Sequence, residues 1–209
     1  MRLLHVDAHC IVADKPAGLL SVPGRGEDKQ DCLAARVQAR HADALVVHRL
    51  DMATSGLWLM ARGLHTQRAL ARAFEQRRVH KRYQAIVHGD IAAAADWRTI
   101  DLPLAADWPN RPRQRIDHGH GKPSVTRWRP LGPGPVAGTT RLELEPVTGR
   151  SHQLRVHLLA VGHPIVGDAL YAPPATVRAA PRLLLHACDL RLAHPATGEP
   201  MHWRSPAPF

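Results

Sequence analysis

The chain has 209 residues, of which 44% are hydrophobic and 22% charged, a balance ordinary for a folded protein and too apolar for a disordered one. No apolar run approaches the roughly 18 residues that a membrane-crossing helix needs, and Met1-Arg2-Leu3-Leu4-His5-Val6-Asp7 reaches an acid before any signal-like core, so a cytoplasmic protein is expected. With 28 Lys and Arg against 18 Asp and Glu, the net charge of +10 favours a polyanionic partner, whether DNA, RNA or an acidic membrane.

Ile11-Val12-Ala13 reads as a short strand, and Asp14-Lys15-Pro16-Ala17-Gly18 then demands a turn, with another at Val22-Pro23-Gly24. Residues 31–40, with Leu33 and Val37 among alanines, fit a short helix. Ala44 to Val47 form an apolar strand that delivers His48-Arg49-Leu50-Asp51, and Leu57-Trp58-Leu59-Met60 a buried one. In the helix that follows, Ala69, Leu70, Ala73 and Phe74 share one face while the other is rich in arginine. Arg82 to His88 and Arg141 to Val147 alternate as strands, and the Pro/Gly-rich Pro130 to Gly138 reads as a loop between two strands of one sheet. Ser151 is placed to cap a helix carrying Leu154, Leu158 and Val161, which Gly162 would stop. Leu183 to Leu192 and Met201-His202-Trp203 look like a hairpin around His194-Pro195-Ala196-Thr197-Gly198-Glu199. No repeat or linker divides the chain, so residues 1–209 are expected to form a single domain, with Cys10, Cys32 and Cys188 as small core residues.

Asp107-Trp108-Pro109-Asn110-Arg111-Pro112-Arg113-Gln114-Arg115 is too polar and proline-broken for core. Between Arg111 and Arg129 six basic residues face one acid. With Trp108 alongside, this suits a loop that grips phosphates through Arg111 and Arg113 and stacks on a base; the alternative is a solvated loop. His48, His152, His157, His163 and His186 have no acid or cysteine at ligand spacing, and His152 and His157 are five apart, which misaligns them on a helix. No metal is expected; these histidines are read as hydrogen-bonding loops. Taken alone, Asp51 reads as a turn residue, Tyr83 as a strand aromatic and Arg155 as a helix-surface charge.

His48-Arg49-Leu50-Asp51-Met52-Ala53-Thr54-Ser55-Gly56-Leu57 resembles the signature of the RluA-type pseudouridine synthases. Lys15-Pro16-Ala17-Gly18, Lys81-Arg82-Tyr83, the stretch from Gly149 to His157, the stretch from Gly162 to Asp168, and Leu185-His186-Ala187 agree with the same family in order and spacing. The resemblance implies one α/β domain on a bent, mainly antiparallel sheet flanked by helices. It also implies isomerisation of uridine to pseudouridine in structured RNA, without a cofactor. Asp51 matches the family's catalytic aspartate, which can stabilise positive charge at C1′, bond to that carbon, or take the C2′ proton. Arg155 matches its arginine partner, expected within about 4–6 Å to favour the ionised carboxylate. Tyr83 matches the ring that packs on the uracil, and Arg49 the residue that enters the space left by a flipped nucleotide. Lys81 and Arg150 are expected on the RNA backbone.

The chain starts almost at its first strand, so a bare catalytic domain is expected, without the S4-type domain that related branches carry. That architecture, with the stretches from Asp107 to Pro112 and from Ala180 to Ala187, resembles the branch that modifies both a 23S rRNA hairpin and the tRNA anticodon loop. A monomer is expected. The competing expectation is an RNA-binding or RNA-chaperone protein of the same fold that has lost catalysis.

Overall fold

The computed structural model describes residues 1–209. The first half contains β1 (Arg2–Val6), β2 (Cys10–Lys15), α1 (Leu33–Gln38), β3 (Ala44–Val46), β4 (Ser55–Arg62), α2 (Gly63–Glu75), β5 (His80–His88) and β6 (Arg98–Asp101). The remainder contains β7 (Leu104–Ala106), β8 (Gln114–Ile116), β9 (Val125–Pro133), β10 (Thr139–Pro146), α3 (Gln153–Ala160), α4 (Pro174–Arg178), β11 (Leu185–Ala193) and β12 (Pro200–Arg204). The fold is mixed α/β, with mainly antiparallel pairing and few helices. No helix is long and apolar enough to cross a membrane.

The chain forms two units, one of Met1–Lys81 with His186–Pro208 and the other of Arg82–Leu185 with Phe209. In the first, β4 pairs antiparallel with β2 and β3 and parallel with β11, which pairs antiparallel with β12. The apolar run of β4 is buried on both faces, as its lack of polar alternation predicts. Leu57, Leu59 and Ala61 share one face with Cys10, Val12, Leu190 and Leu192, and Leu70 of α2 closes that core with Ala73 and Phe74 packed against it. At β4's start the parallel register sets Gly56 beside Ala187, where φ is +111° and a Cβ would lie 2.2 Å from the Ala187 carbonyl oxygen, so only glycine fits.

In the second unit β5, β10, β9 and β6 pair antiparallel in that order, while β7 and β8 form a separate hairpin. Leu142 and Leu144 of β10 point inward, as their alternation predicts. Two expectations are corrected. β9 runs on through Pro130 to Pro133, shortening the expected loop. Its pairing with β6 ends at Trp128, so the prolines lie where no ladder N–H is required on that side. α3 starts at Gln153, and its N-cap is His152 in the left-handed region, φ 54°, rather than Ser151.

Candidate active site

Asp51 lies in the segment that joins β3 to β4, and the backbone on both sides of it is held. Ser21 Oγ donates to the Leu50 carbonyl at 2.7 Å and accepts from the Leu50 N–H at 3.1 Å. On the other side the Met52 carbonyl accepts from Lys15 Nζ at 3.0 Å and from the Gly18 N–H at 2.9 Å. Lys15 is 1% exposed, and its ammonium also donates to the carbonyls of Pro16 at 2.9 Å and Leu19 at 2.6 Å. Burial lowers its pKa to about 8, against the opposing pull of the Asp51 charge. Sequence reasoning quoted the Lys-Pro turn without giving Lys15 or Ser21 a role. The only signal was a lysine ending an apolar strand.

Arg49 is exposed beside this segment. His48 accepts from the Leu59 N–H at Nε2, 3.0 Å, and its ring stacks on Phe74 at 4.7 Å between centroids. Burial, then the Lys81 charge, lowers its pKa to about 3. The Lys81 ammonium is 5.7 Å from the centroid of the same Phe74 ring, and burial lowers its pKa too. Behind the start of β4, His186 binds Ser55 Oγ at 2.9 Å and Ser205 Oγ at 3.1 Å, and Ser205 Oγ donates to Asp14 at 3.2 Å.

In the second unit, Tyr83 lies on β5 opposite Leu144, nearly buried. Arg155, 4% exposed on α3, donates from Nε and Nη2 to the two oxygens of Asp168 at 2.8 and 2.6 Å. Asp168 is fixed in turn by the N–H groups of Leu170 and Tyr171, and the Arg155 guanidinium is 5.0 Å from the Tyr171 ring centroid. A guanidinium carries five N–H donors, of which this bidentate pair uses two. Neither Asp168 nor Tyr171 was singled out as a site residue from the sequence.

The tip of the β7–β8 hairpin carries Trp108, 66% exposed, with the Arg111 guanidinium 4.2 Å from its centroid. Arg113, also exposed, donates to the Leu170 carbonyl, while the Gln114 N–H donates to Tyr171 Oη at 2.8 Å, so the hairpin is tied to the segment that holds Arg155. Arg150 is exposed in the turn before α3, whose backbone is held by Gln153. His157 bonds Thr126 Oγ1 and the Leu102 carbonyl, and His152 bonds Tyr171 Oη at 2.6 Å.

The family model described as RNA pseudouridylate synthase matches residues 9–160. Among curated proteins, the dual-specificity RNA pseudouridine synthase RluA of Escherichia coli K12 is 47% identical over 99% of this chain and 93% of its own length. RluA of Yersinia pestis is 47% identical over the whole of both. Among solved structures, human RNA pseudouridylate synthase domain containing 1 superposes with a TM-score of 0.80 at 30% identity, covering 99% of this chain and 83% of the other.

Proposed function

The chain belongs to the RNA pseudouridylate synthase family and isomerises uridine to pseudouridine in RNA; from that premise we propose that it has dual specificity, acting on a 23S rRNA hairpin and on the tRNA anticodon loop. We assign Asp51 as the catalytic carboxylate, Tyr83 as the ring against which the uracil turns, and Arg155 as the cation paired with the reacting carboxylate. Arg49 enters the space of the flipped nucleotide, and Lys81, Arg150, Trp108, Arg111 and Arg113 hold or shape the RNA-binding surface. Both units serve one catalytic domain, which works as a monomer in the cytoplasm.

The observation that carries the assignment of Asp51 is the fixation of its backbone from both sides, by Ser21 on Leu50 and by Lys15 and Gly18 on Met52. A carboxylate that must meet an anomeric carbon needs such preorganisation, because small errors in position reduce the rate sharply. The reaction breaks the bond from N1 to C1′, joins C5 to C1′ and releases the C5 proton, so its balance needs no oxidant or energy source. Arg155 supports the reading through its burial and its rigid hold on Asp168, which present a fixed guanidinium.

The test is tritium release from C5-labelled uridine in transcripts of a tRNA anticodon stem-loop and the 23S rRNA hairpin. Wild type should release from both. Asp51→Asn should release from neither while binding RNA within about twofold of wild type, since it removes charge at the reacting atoms but keeps the shape. Release by Asp51→Asn would overturn its role, release from one RNA would remove dual specificity, and binding without release by wild type would favour a silent RNA-binding protein.

A further inference from the structure

The basic face of α2 was visible in the sequence, but the site above does not use it. Arg68 and Arg72 are exposed one helical turn apart, and Arg77 and Arg78 follow in the turn that ends the helix, with His65 and His80 exposed at its two ends. No carboxylate engages any of these four guanidinium groups. Three arginines of the second unit's sheet are matched by acids: Arg82 and Arg129 pair with Glu143, at 2.9 and 2.7 Å, and Arg127 with Glu145 at 3.4 Å. Those three sheet arginines are neutralised by neighbouring acids, whereas the four at α2 and its end are not.

Two features work against stability. Like charges at i and i+4 repel along a helix, and Glu75 is the one acid on that face. Arg77 is also one of only two non-glycine residues with positive φ, at 58°. Its N–H donates to the Phe74 carbonyl at 3.1 Å and that of Arg78 to the Ala73 carbonyl at 2.8 Å, which makes Arg77 the left-handed residue of a Schellman motif. Glycine fills that position without strain. The helix dipole favours cations at this end, which accounts for Arg72 and Arg78 but not for Arg68 in mid-helix, nor for a side chain at the left-handed position.

We propose that Arg68, Arg72, Arg77 and Arg78 form a second RNA-binding surface, which grips the phosphate backbone of the stem flanking the target loop. This rests on the reading of the chain as an RNA-modifying enzyme. The helix that carries this surface packs against the segment of Asp51: Phe74, on the other side of the same helical turns, stacks on His48, next to exposed Arg49. From Arg68 to Arg78 the path is roughly 15 Å, a length over which a duplex presents several phosphates. Its chemistry is charge without an aromatic platform, which suits a stem whose bases are paired and leaves the loop bases to Trp108.

The experiment measures RNA binding by fluorescence anisotropy, and turnover by tritium release, on a full-stem hairpin and on the same loop with a shortened stem. Arg68→Ala/Arg72→Ala should weaken full-stem binding about tenfold at low salt, with kcat within about twofold. It should also lower the slope of log affinity against log salt by roughly 1.5. The shortened hairpin should bind both proteins alike, and Arg68→Lys/Arg72→Lys should restore binding. Arg77→Gly should weaken full-stem binding while its melting temperature equals or exceeds that of wild type, a pairing that a structural role would reverse. Unchanged binding in both variants, or equal losses on the two hairpins, overturns the proposal and leaves the face to another partner. A wild type that binds but does not release tritium would sink the catalytic reading alone, because anisotropy tests the surface without turnover.

Discussion

Lys15 carries a charge where almost no water reaches it, and three carbonyl oxygens take the place of solvent around its ammonium. Lys15→Met would remove the charge but strand acceptors at Pro16 and Leu19, so we expect a loss of about 3 kcal/mol in urea denaturation at pH 7. A fall in kcat should accompany it, because the Met52 carbonyl loses one of two donors beside Asp51. His48 gives the fold a different acid sensitivity. Its folded pKa of about 3 lies below the ordinary 6.5, so between those values the unfolded chain binds a proton that the folded chain refuses. Stability from this group is therefore complete above pH 6.5 and is lost as pH falls towards 3. The ring is partly exposed, so the slope should stay below the limiting value of about 1.4 kcal/mol per pH unit. His48→Gln keeps an acceptor for the Leu59 N–H and cannot titrate; its denaturation free energy should fall less than that of wild type between pH 6.5 and 4.

At the scale of elements, the join of β4 to β11 is the most demanding contact in the first unit. Gly56→Ala should lower stability by more than about 3 kcal/mol, because its Cβ would enter backbone that cannot move without breaking the parallel register. Gly138→Ala, at φ 71° with open space around it, should lower it by only about 1 kcal/mol, and thermal melts of the two variants would separate steric from conformational strain. Elements with a strong pattern were legible beforehand: the unbroken apolar run of β4, the face of α2 formed by Leu70, Ala73 and Phe74, and the β11–β12 hairpin. The pattern failed where tertiary context decides. Prolines at 130 and 133 signal a loop only if their N–H positions are needed, and the end of β6 removes that need. Ser151 looks like a cap, but Gln153 and Tyr171 organise the turn instead. The residues proposed for the site were reached through motifs, whereas Lys15, Ser21, Asp168 and Tyr171 act through burial and through partners distant in sequence, which no local spacing reveals.

For the whole molecule, a net charge of +10 places RNA binding under the control of ionic strength. Raising salt from about 50 to 200 mM should weaken binding more than tenfold, for wild type and Asp51→Asn alike, since counterion release is indifferent to the chemistry at one carboxylate. The division of the chain has a consequence in time. The second unit is almost one continuous stretch, Arg82–Leu185, whereas the first needs both Met1–Lys81 and His186–Pro208. As a ribosome delivers the chain, the Asp51 segment emerges well before β11, the neighbour that demands glycine at position 56. Closing that pair spans some 130 residues, the kind of distant contact that slows folding. Arg82–Leu185 can therefore gather before its predecessor is finished, reversing the usual order of synthesis and folding, and the surroundings of Asp51 are completed last.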